Sequence, residues 1–383
     1  MKYQWKIGFI IPAAIALLLT AACGGGGGGN ASTGISISFT QQRYRIMAGE
    51  SVTLTVNARN TEIGWPSSSE VAGNFTLNGN NRAVYTPPSP PFPQIEHTYE
   101  FTVTAMADPG TKRTAWITVY LDSAYYGINQ YKEIVGEFRD AAGGVTAFLQ
   151  YGNTFEPVVS NVIGNTYALG INNYGDILGF HDAADSYFLR IENGLYYLED
   201  YDRPYSTYYM GLNDYNEFAG YVINNSFAYG FIKTDDRFFF VDHPLAASNA
   251  CNYIKPNPCG TFLTGINNYG EAVGYYYDSF GVARGFLYYN GGYFRIDPDG
   301  RLNNMTDTYV WGINYYGEAA GYFLDYDGYA LGFVFDVDTW DVEIIDYPKA
   351  ADPGYGTFVY GINDDSWVVG EYDDGEKFQG FMY

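Results

Sequence analysis

Thr166-Tyr167-Ala168-Leu169-Gly170-Ile171-Asn172-Asn173-Tyr174-Gly175-Asp176-Ile177-Leu178-Gly179-Phe180 is the stretch on which the reading of this chain turns. An apolar run ends at Asn172, and Asn173-Tyr174-Gly175 follows. Asn and Gly accept positive φ at low cost, so this tripeptide reads as a tight turn. Ile177 to Phe180 is too short for a helix and holds Gly179. Beyond it lie Ser186-Tyr187-Phe188-Leu189-Arg190-Ile191, the pair Asn193-Gly194, and Leu195-Tyr196-Tyr197-Leu198. Short apolar runs bounded by such residues are strands. The order is strand, turn, strand, loop, strand, hairpin, strand.

The same landmarks recur five more times. Gly-Ile/Leu-Asn begins at Gly127, Gly170, Gly211, Gly265, Gly312 and Gly361, with Asn129, Asn172, Asn213, Asn267, Asn314 and Asn363 as its third residue. Nine residues after each first glycine stands another: Gly136, Gly179, Gly220, Gly274, Gly321 and Gly370. A third landmark ends in Phe148, Phe188, Phe231, Phe286, Phe333 and Phe381. The copies are spaced 43, 41, 54, 47 and 49 residues apart. Internal repeats of this length decide the architecture before any single element does. Four short strands per copy is one propeller blade, and six blades close a ring that leaves few open sheet edges. An open β-solenoid is the competing architecture, but its rungs are shorter, about 20–30 residues, and more uniform. The second glycine falls within a strand, where it permits a bulge or a close neighbour. The last copy stops in its third strand, so its fourth is expected to be absent or donated, with the segment from Leu121 to Tyr126 as the donor in view.

These copies resemble the HAF repeat of extracellular bacterial proteins, whose pattern joins a Gly-Ile-Asn-x-x-Gly hairpin, a Val-Gly strand end and a His-Ala-Phe strand. The first part is present in all six copies. The third departs: Thr146-Ala147-Phe148-Leu149 is the nearest match, and no copy has the His. The resemblance spans residues 122–383 and implies an extracellular repeat domain. It implies no particular reaction.

Residues 35–121 read as a separate β-sandwich. Ile35, Ile37 and Phe39 alternate with serines, and Val52, Leu54 and Val56 with threonines. Tyr99 to Ala105 and Ala115 to Leu121 alternate again. Some 87 residues suit a seven-stranded sandwich, and the order resembles bacterial immunoglobulin-like domains, with Trp65 read as a core plug. A spacer role follows.

Ahead of it, Lys2 and Lys6 precede an apolar run from Ile7 to Leu19 and the residues Thr20-Ala21-Ala22-Cys23. This is the pattern of a signal peptide, residues 1–22. Small residues directly before Cys23 resemble the bacterial lipobox, which implies cleavage there and lipidation of Cys23. Residues 23–34, with Gly24 to Gly29, form a flexible tether. Gly24 after the cysteine favours the outer membrane in the sorting pattern. The expected partners are therefore a membrane, reached through the anchor, and a glycan or envelope protein.

Composition bounds the function classes. The 383 residues include 46 Gly, 40 Tyr and only 20 Lys plus Arg against 43 Asp plus Glu, a net charge of −23. No basic stripe exists to bind a phosphate backbone, so nucleic acid is excluded. His97, His181 and His243 lie in separate segments without ligand spacing, and the acidic turns at Asp297, Asp325 and Asp336 lack the calcium-loop pattern. No metal or cofactor is expected. No strained Gly-x-Ser-x-Gly turn occurs. Glu133, Asp176, Glu217, Glu271 and Glu318 recur before the second strand, and Tyr131, Tyr174, Tyr215, Tyr269 and Tyr316 recur in the first hairpin. Repetition favours structural roles for both sets, the acids because one reaction needs one asymmetric constellation, the tyrosines as packing at blade turns. Sugar stacking is the functional reading of the tyrosines. Cys251 and Cys259 flank a short loop in the longest spacer and are expected to be oxidised to a disulfide outside the cytoplasm. The expectation is a non-catalytic binding module. A carbohydrate-active hydrolase or lyase on the same ring is the alternative, by analogy of fold alone.

Overall fold

The structure, a computed structural model, describes residues 35–383 apart from 48–49, 68–72, 89–95, 121, 140–142, 159–163, 192–193, 202–204, 236, 248–257, 299–306, 352–353 and 376. The signal segment, the tether, Cys23 and Cys251 lie outside the described residues. Among those described there is no helix.

The first eight strands are β1 (Ser36–Phe39), β2 (Arg43–Met47), β3 (Val52–Arg59), β4 (Ile63–Gly64), β5 (Asn74–Leu77), β6 (Arg82–Thr86), β7 (Glu96–Ala105) and β8 (Asp108–Tyr120). They form two four-stranded sheets, β1-β3-β6-β5 and β2-β8-β7-β4. That is one strand more than the expected seven, because β2 adds to the edge of β8 in parallel. Period-two alternation buries Ile37, Leu54, Val56 and Tyr85 from one sheet against Phe101, Val103, Ile117 and Val119 from the other. Trp65 packs beside Phe75 and Phe101, and its indole N–H donates to the Asn80 carbonyl at 3.0 Å.

The remaining strands make six blades, of which blades 3 and 4 are joined into one eight-stranded sheet. Blade 1 holds β9 (Asp122–Ile128), β10 (Ile134–Arg139), β11 (Val145–Tyr151) and β12 (Thr154–Pro157). Blade 2 holds β13 (Thr166–Ile171), β14 (Ile177–His181), β15 (Ser186–Ile191) and β16 (Gly194–Tyr197). Blade 3 holds β17 (Ser206–Leu212), β18 (Phe218–Asn224), β19 (Phe227–Thr234) and β20 (Arg237–Val241). Blade 4 holds β21 (Cys259–Ile266), β22 (Ala272–Tyr277), β23 (Ala283–Tyr289) and β24 (Gly292–Ile296). Blade 5 holds β25 (Thr308–Ile313), β26 (Glu318–Leu324), β27 (Ala330–Asp336) and β28 (Val342–Ile345). Blade 6 holds β29 (Thr357–Ile362), β30 (Val368–Asp373) and β31 (Phe378–Met382). Each is an antiparallel meander, and the third-landmark phenylalanines are buried in every blade.

Among the described residues no donated fourth strand is present in blade 6. The segment from Asp122 onward is the inner strand of blade 1, paired to β10, and blade 6 has three strands among the described residues. Blade 6 instead packs its sheet against β9, where Tyr125 covers Gly380 and the Gly380 N–H donates to Ser123 Oγ at 2.9 Å.

Both glycine columns have steric causes. In all six blades the first ladder shifts register beside the second glycine. There a Cβ on Gly136, Gly220, Gly274, Gly321 or Gly370 would overlap the carbonyl oxygen of the bulged first strand. Five of the six first glycines meet their counterparts in the next blade, while Gly170 meets Leu212 there. A Cβ on Gly127 would sit 2.9 Å from Gly170 Cα, one on Gly265 would sit 3.2 Å from Gly312 Cα, and one on Gly361 would sit 3.2 Å from Gly127 Cα. The last of these contacts joins blade 6 to blade 1, so the ring is closed.

Candidate functional site: the ring mouth and the seam of blades 6 and 1

The first hairpin of every blade is organised by its asparagine. Asn213 is representative. Its Oδ1 accepts the N–H groups of Tyr215 and Glu217, both at 3.0 Å, which fixes the turn. Its Nδ2 donates to Glu217 Oε2 at 2.7 Å and to the Asn267 carbonyl of the next blade at 3.1 Å. The inter-blade bond repeats around the ring. Asn129 reaches the Asn172 carbonyl (3.2 Å), Asn172 that of Asn213 (3.3 Å) and Asn267 that of Asn314 (3.0 Å). Asn314 then reaches Asn363 and Asn363 reaches Asn129, each at 3.0 Å. The result is a closed hoop of six buried amides.

The recurrent acids are part of this device. Glu133, Asp176, Glu217, Glu271 and Glu318 each accept the Nδ2 of their own asparagine. The sixth copy has Trp367 in that place. There the Lys132 ammonium of blade 1 sits 3.6 Å from the Trp367 ring centroid, a cation–π contact replacing the polar one.

The hoop surrounds a polar axial cavity of about 80 Å³. Its floor is Ile128, Ile171, Leu212, Ile266, Ile313 and Ile362, and its rim includes Asn173, Asp214, Asn268 and Asp364. The rim residues bond one another: Asp214 accepts both Asn173 Nδ2 (3.1 Å) and Asn268 Nδ2 (2.7 Å). The cavity has room for a few waters but is far below the ~300 Å³ of an ordinary ligand pocket.

The tyrosines of these hairpins lie outside the blade cores. Tyr131, Tyr174, Tyr215, Tyr269 and Tyr316 are 74, 76, 69, 54 and 66% exposed. The expected packing at blade turns is met by Tyr269 and Tyr316, whose rings contact Tyr315, and not by Tyr131, Tyr174 and Tyr215, which stand exposed. Each sits two residues past its asparagine, where the backbone N–H turns inward to Oδ1 and the side chain is left facing solvent. The outcome is a crown of rings around one mouth of the propeller. Tyr315 joins it, with its hydroxyl bonded to that of Tyr269.

A second cluster escaped the sequence reading. Across each first hairpin, the residue three before the first glycine pairs with the residue after the second. The pairs are Tyr167/Phe180, Tyr208/Tyr221, Phe262/Tyr275 and Tyr309/Tyr322 in blades 2 to 5. In blades 1 and 6 they are Ala124/Glu137 and Phe358/Glu371. Ring closure makes these two blades neighbours. The residue directly before the first glycine departs at the same place: it is Trp311, Tyr360 and Tyr126 on blades 5, 6 and 1, and Leu169, Met210 and Thr264 on the others. Aligning the copies column by column would have exposed both departures.

At this seam the Arg139 guanidinium pairs with Glu137 through Nε at 2.6 Å and through a second nitrogen. The Tyr360 hydroxyl donates to Glu371 at 2.9 Å, and its ring lies 5.3 Å from Tyr126 and 5.4 Å from Trp311. Burial pushes the Glu371 carboxyl up to about 7, against the pull of Arg139 and Tyr360, with the Glu137 and Asp122 charges adding to the rise. Burial also raises Glu137, opposed by Arg139.

The other expected features are placed as follows. Cys259 is disulfide-bonded, while Cys251 lies outside the described residues. It opens β21, where Phe227 and Ala228 bridge Cys259 and Gly260 in parallel and join blades 3 and 4. His243 is buried and stacked on Tyr276 at 3.7 Å, and burial lowers its pKa to about 4. Asp325 and Asp336 accept N–H groups of their own turns. Among the described residues no group of His, Cys, Asp and Glu forms a metal cluster.

No protein-family model matches the sequence, and no curated protein matches it. Among solved structures the chain is similar to the fungal lectin of Aleuria aurantia, described as a six-bladed β-propeller with a novel fucose recognition mode, at 12% identity and a TM-score of 0.41. That match covers 69% of this chain and 91% of the lectin. It is also similar to the SapL1 lectin in complex with alpha methyl fucoside, at 12% identity and a TM-score of 0.43, over 69% of this chain and 92% of that one. The count of six blades rests on this chain's own strand pairing and hoop closure.

Proposed function

We propose that this chain is a non-catalytic, carbohydrate-binding propeller held at the bacterial cell envelope by a lipid on Cys23. The observation that carries the binding reading is the tyrosine crown. Five exposed rings at one repeated position cost solubility and contribute nothing to the core. Flat aromatic faces beside amides and carboxylates suit the mixed apolar and hydroxylated surface of a sugar. The axial cavity is too small for a pyranose, so contact is made across the mouth, with equivalent positions that favour branched or repeating glycans through multivalency. The net charge of −23 favours neutral glycans over anionic ones.

The envelope reading rests on the lipobox-like residues before Cys23, the glycine tether and the sandwich as a spacer, and the resemblance to HAF repeats accords with an extracellular address. A glycan array probed with residues 35–383 tests the binding. Tyr174→Ala with Tyr215→Ala should lose most of the signal; an array without hits, or one indifferent to these changes, removes the reading. Turnover of a bound glycan would end the non-catalytic part. Palmitate incorporation that survives Cys23→Ala would end the anchoring part.

A further inference from the structure

We propose that the groove between the outer strand of blade 5 and the first hairpin of blade 6 is a specificity subsite of the ring mouth, and that it takes one neutral pyranose residue at the end of a glycan chain. This rests on the reading of the tyrosine crown as a sugar-binding face, and it names the place where that face is no longer repetitive.

The crown has one gap. Five hairpins carry a tyrosine two residues past the hoop asparagine, and the sixth carries Asp365 there. The Asp365 N–H still turns inward to Asn363 Oδ1, at 3.1 Å, and the residue is exposed like the tyrosines it replaces. Two residues on, Trp367 stands where the other hairpins hold their acid. A third departure lies across the groove. On the outer strands of blades 2, 3 and 4, the residue paired with the one after the buried phenylalanine is Tyr196, Phe239 or Phe294, each about half exposed. On blade 5 it is Glu343. Ring and acid have changed places relative to those blades. Blade 1 also has an acid on its outer strand, Glu156, but the Tyr151 hydroxyl bonds it.

The departures meet around one space. A cavity of about 170 Å³ lies between the two blades, lined by Glu343, Asp365, Trp367 and Tyr383 beside an apolar wall of Val334 and Ile345. It is about twice the volume of the axial cavity and matches that of five or six waters in the liquid, room for one sugar ring. Its aromatic walls are held in place. The Lys132 ammonium lies 3.6 Å from the Trp367 ring centroid, and the Tyr383 main chain is bonded both ways to Val368, at 2.9 and 3.0 Å. Its acids are not. Among the described residues the Asp365 carboxylate has no hydrogen-bond or ion-pair partner, and Glu343 has only the Tyr383 hydroxyl, at a long 3.5 Å.

The ligand chemistry follows from this set. Two rings and an aliphatic wall suit the apolar face of a pyranose. Two carboxylates are acceptors only, so they take hydroxyl donors, in bonds about twice as strong as neutral ones. The same carboxylates repel a uronate. One residue fills the cavity, so the groove reads a chain end while the tyrosines hold the rest across the mouth.

The test is calorimetric and NMR titration of the full chain, in a polyoxyethylene detergent at pH 7, with methyl glucoside, methyl galactoside and methyl mannoside. Methyl glucuronide is the anionic comparator. At least one neutral glycoside should saturate one site per chain and shift the Trp367 indole N–H resonance, assigned through Trp367→Phe. The glucuronide should do neither. Glu343→Ala and Asp365→Ala, both exposed changes, should each weaken binding by about tenfold or more. Asp365→Tyr, which completes the crown, should abolish it, and Tyr174→Ala with Tyr215→Ala should leave it intact. The proposal falls if no neutral glycoside saturates up to about 50 mM, or if the glucuronide binds equally well. It also falls if the Trp367 resonance does not move, or if Glu343→Ala and Asp365→Ala leave binding unchanged. A glycan-array signal that still depends on Tyr174 and Tyr215 after such a failure keeps the crown; loss of that dependence with the groove intact removes the crown alone.

Discussion

Replacing Asn213 by alanine should do more damage than any exposed change in the same hairpin. The side chain makes four hydrogen bonds, two accepted and two donated, at 2.7–3.1 Å. A net 0.5–1.5 kcal/mol for each puts the loss at about 4 kcal/mol. The buried Asn267 carbonyl also loses its donor from Asn213, which adds to the cost. For a ring of this size about 4 kcal/mol corresponds to a fall of some 8–16 °C in Tm. Thermal unfolding followed by far-ultraviolet circular dichroism measures it, with Tyr215→Ala as the neighbour that should move stability by less than about 0.5 kcal/mol. Asn213→Asp separates shape from donation. It keeps the two accepted bonds, loses both donated ones and sets a carboxylate against Glu217. It should be at least as harmful at pH 8, with partial recovery near pH 4 as a proton restores one donor. An Asn213→Ala chain melting within about 2 °C of the parent would refute the hoop as a source of stability.

Gly274→Ala places a methyl group in the Phe262 carbonyl and should cost more than about 3 kcal/mol or abolish soluble expression, whereas Gly312→Ala, whose nearest new neighbour is 3.3 Å away, should cost about 1 kcal/mol; equal effects would discard the bulge argument. Glu371, with its carboxyl raised to about 7, binds its proton more tightly when folded than unfolded, so its contribution to stability is lost as pH rises from about 4.5 to 7. Glu371→Gln should therefore stabilise the chain by about 3 kcal/mol at pH 8 and by almost nothing at pH 4, read from urea midpoints of both proteins at each pH. Reduction of the Cys259 disulfide should lower stability by about 2.5 kcal/mol in the chain-entropy account of a short loop, seen as a reductant-dependent shift that Cys259→Ser abolishes.

The sequence made the blades legible because each landmark answers to a local physical need. Gly179 marks a bulge, Phe188 a blade core, and Asn173-Tyr174-Gly175 a turn whose left-handed position is Gly175, with φ of +79°. Equivalent positions held by Lys132, Asn216 and Ser366 show the conformation persisting without glycine. The direction of the turn tyrosines was not legible. Recurrence alone cannot say whether a repeated ring points into a core or away from it, and here the inward groups are backbone N–H donors. Nor was the strand count of the sandwich legible, since β2 pairs with a strand some seventy residues away. The seam was hidden for a different reason. Its residues are set by which blades become neighbours on closure, and each copy read alone looks ordinary.

Closure itself is unequal around the hoop. Five links join asparagines 41 to 54 residues apart, and the sixth joins Asn363 to Asn129 across 234. Loop-closure entropy grows by about 0.6 kcal/mol per doubling, so that link carries roughly 1.4 kcal/mol more than the others for the same hydrogen bond. It cannot form until the sixth copy has left the ribosome. A propeller that is nearly symmetric in shape thus has a clasp, and its buried acids sit beside it.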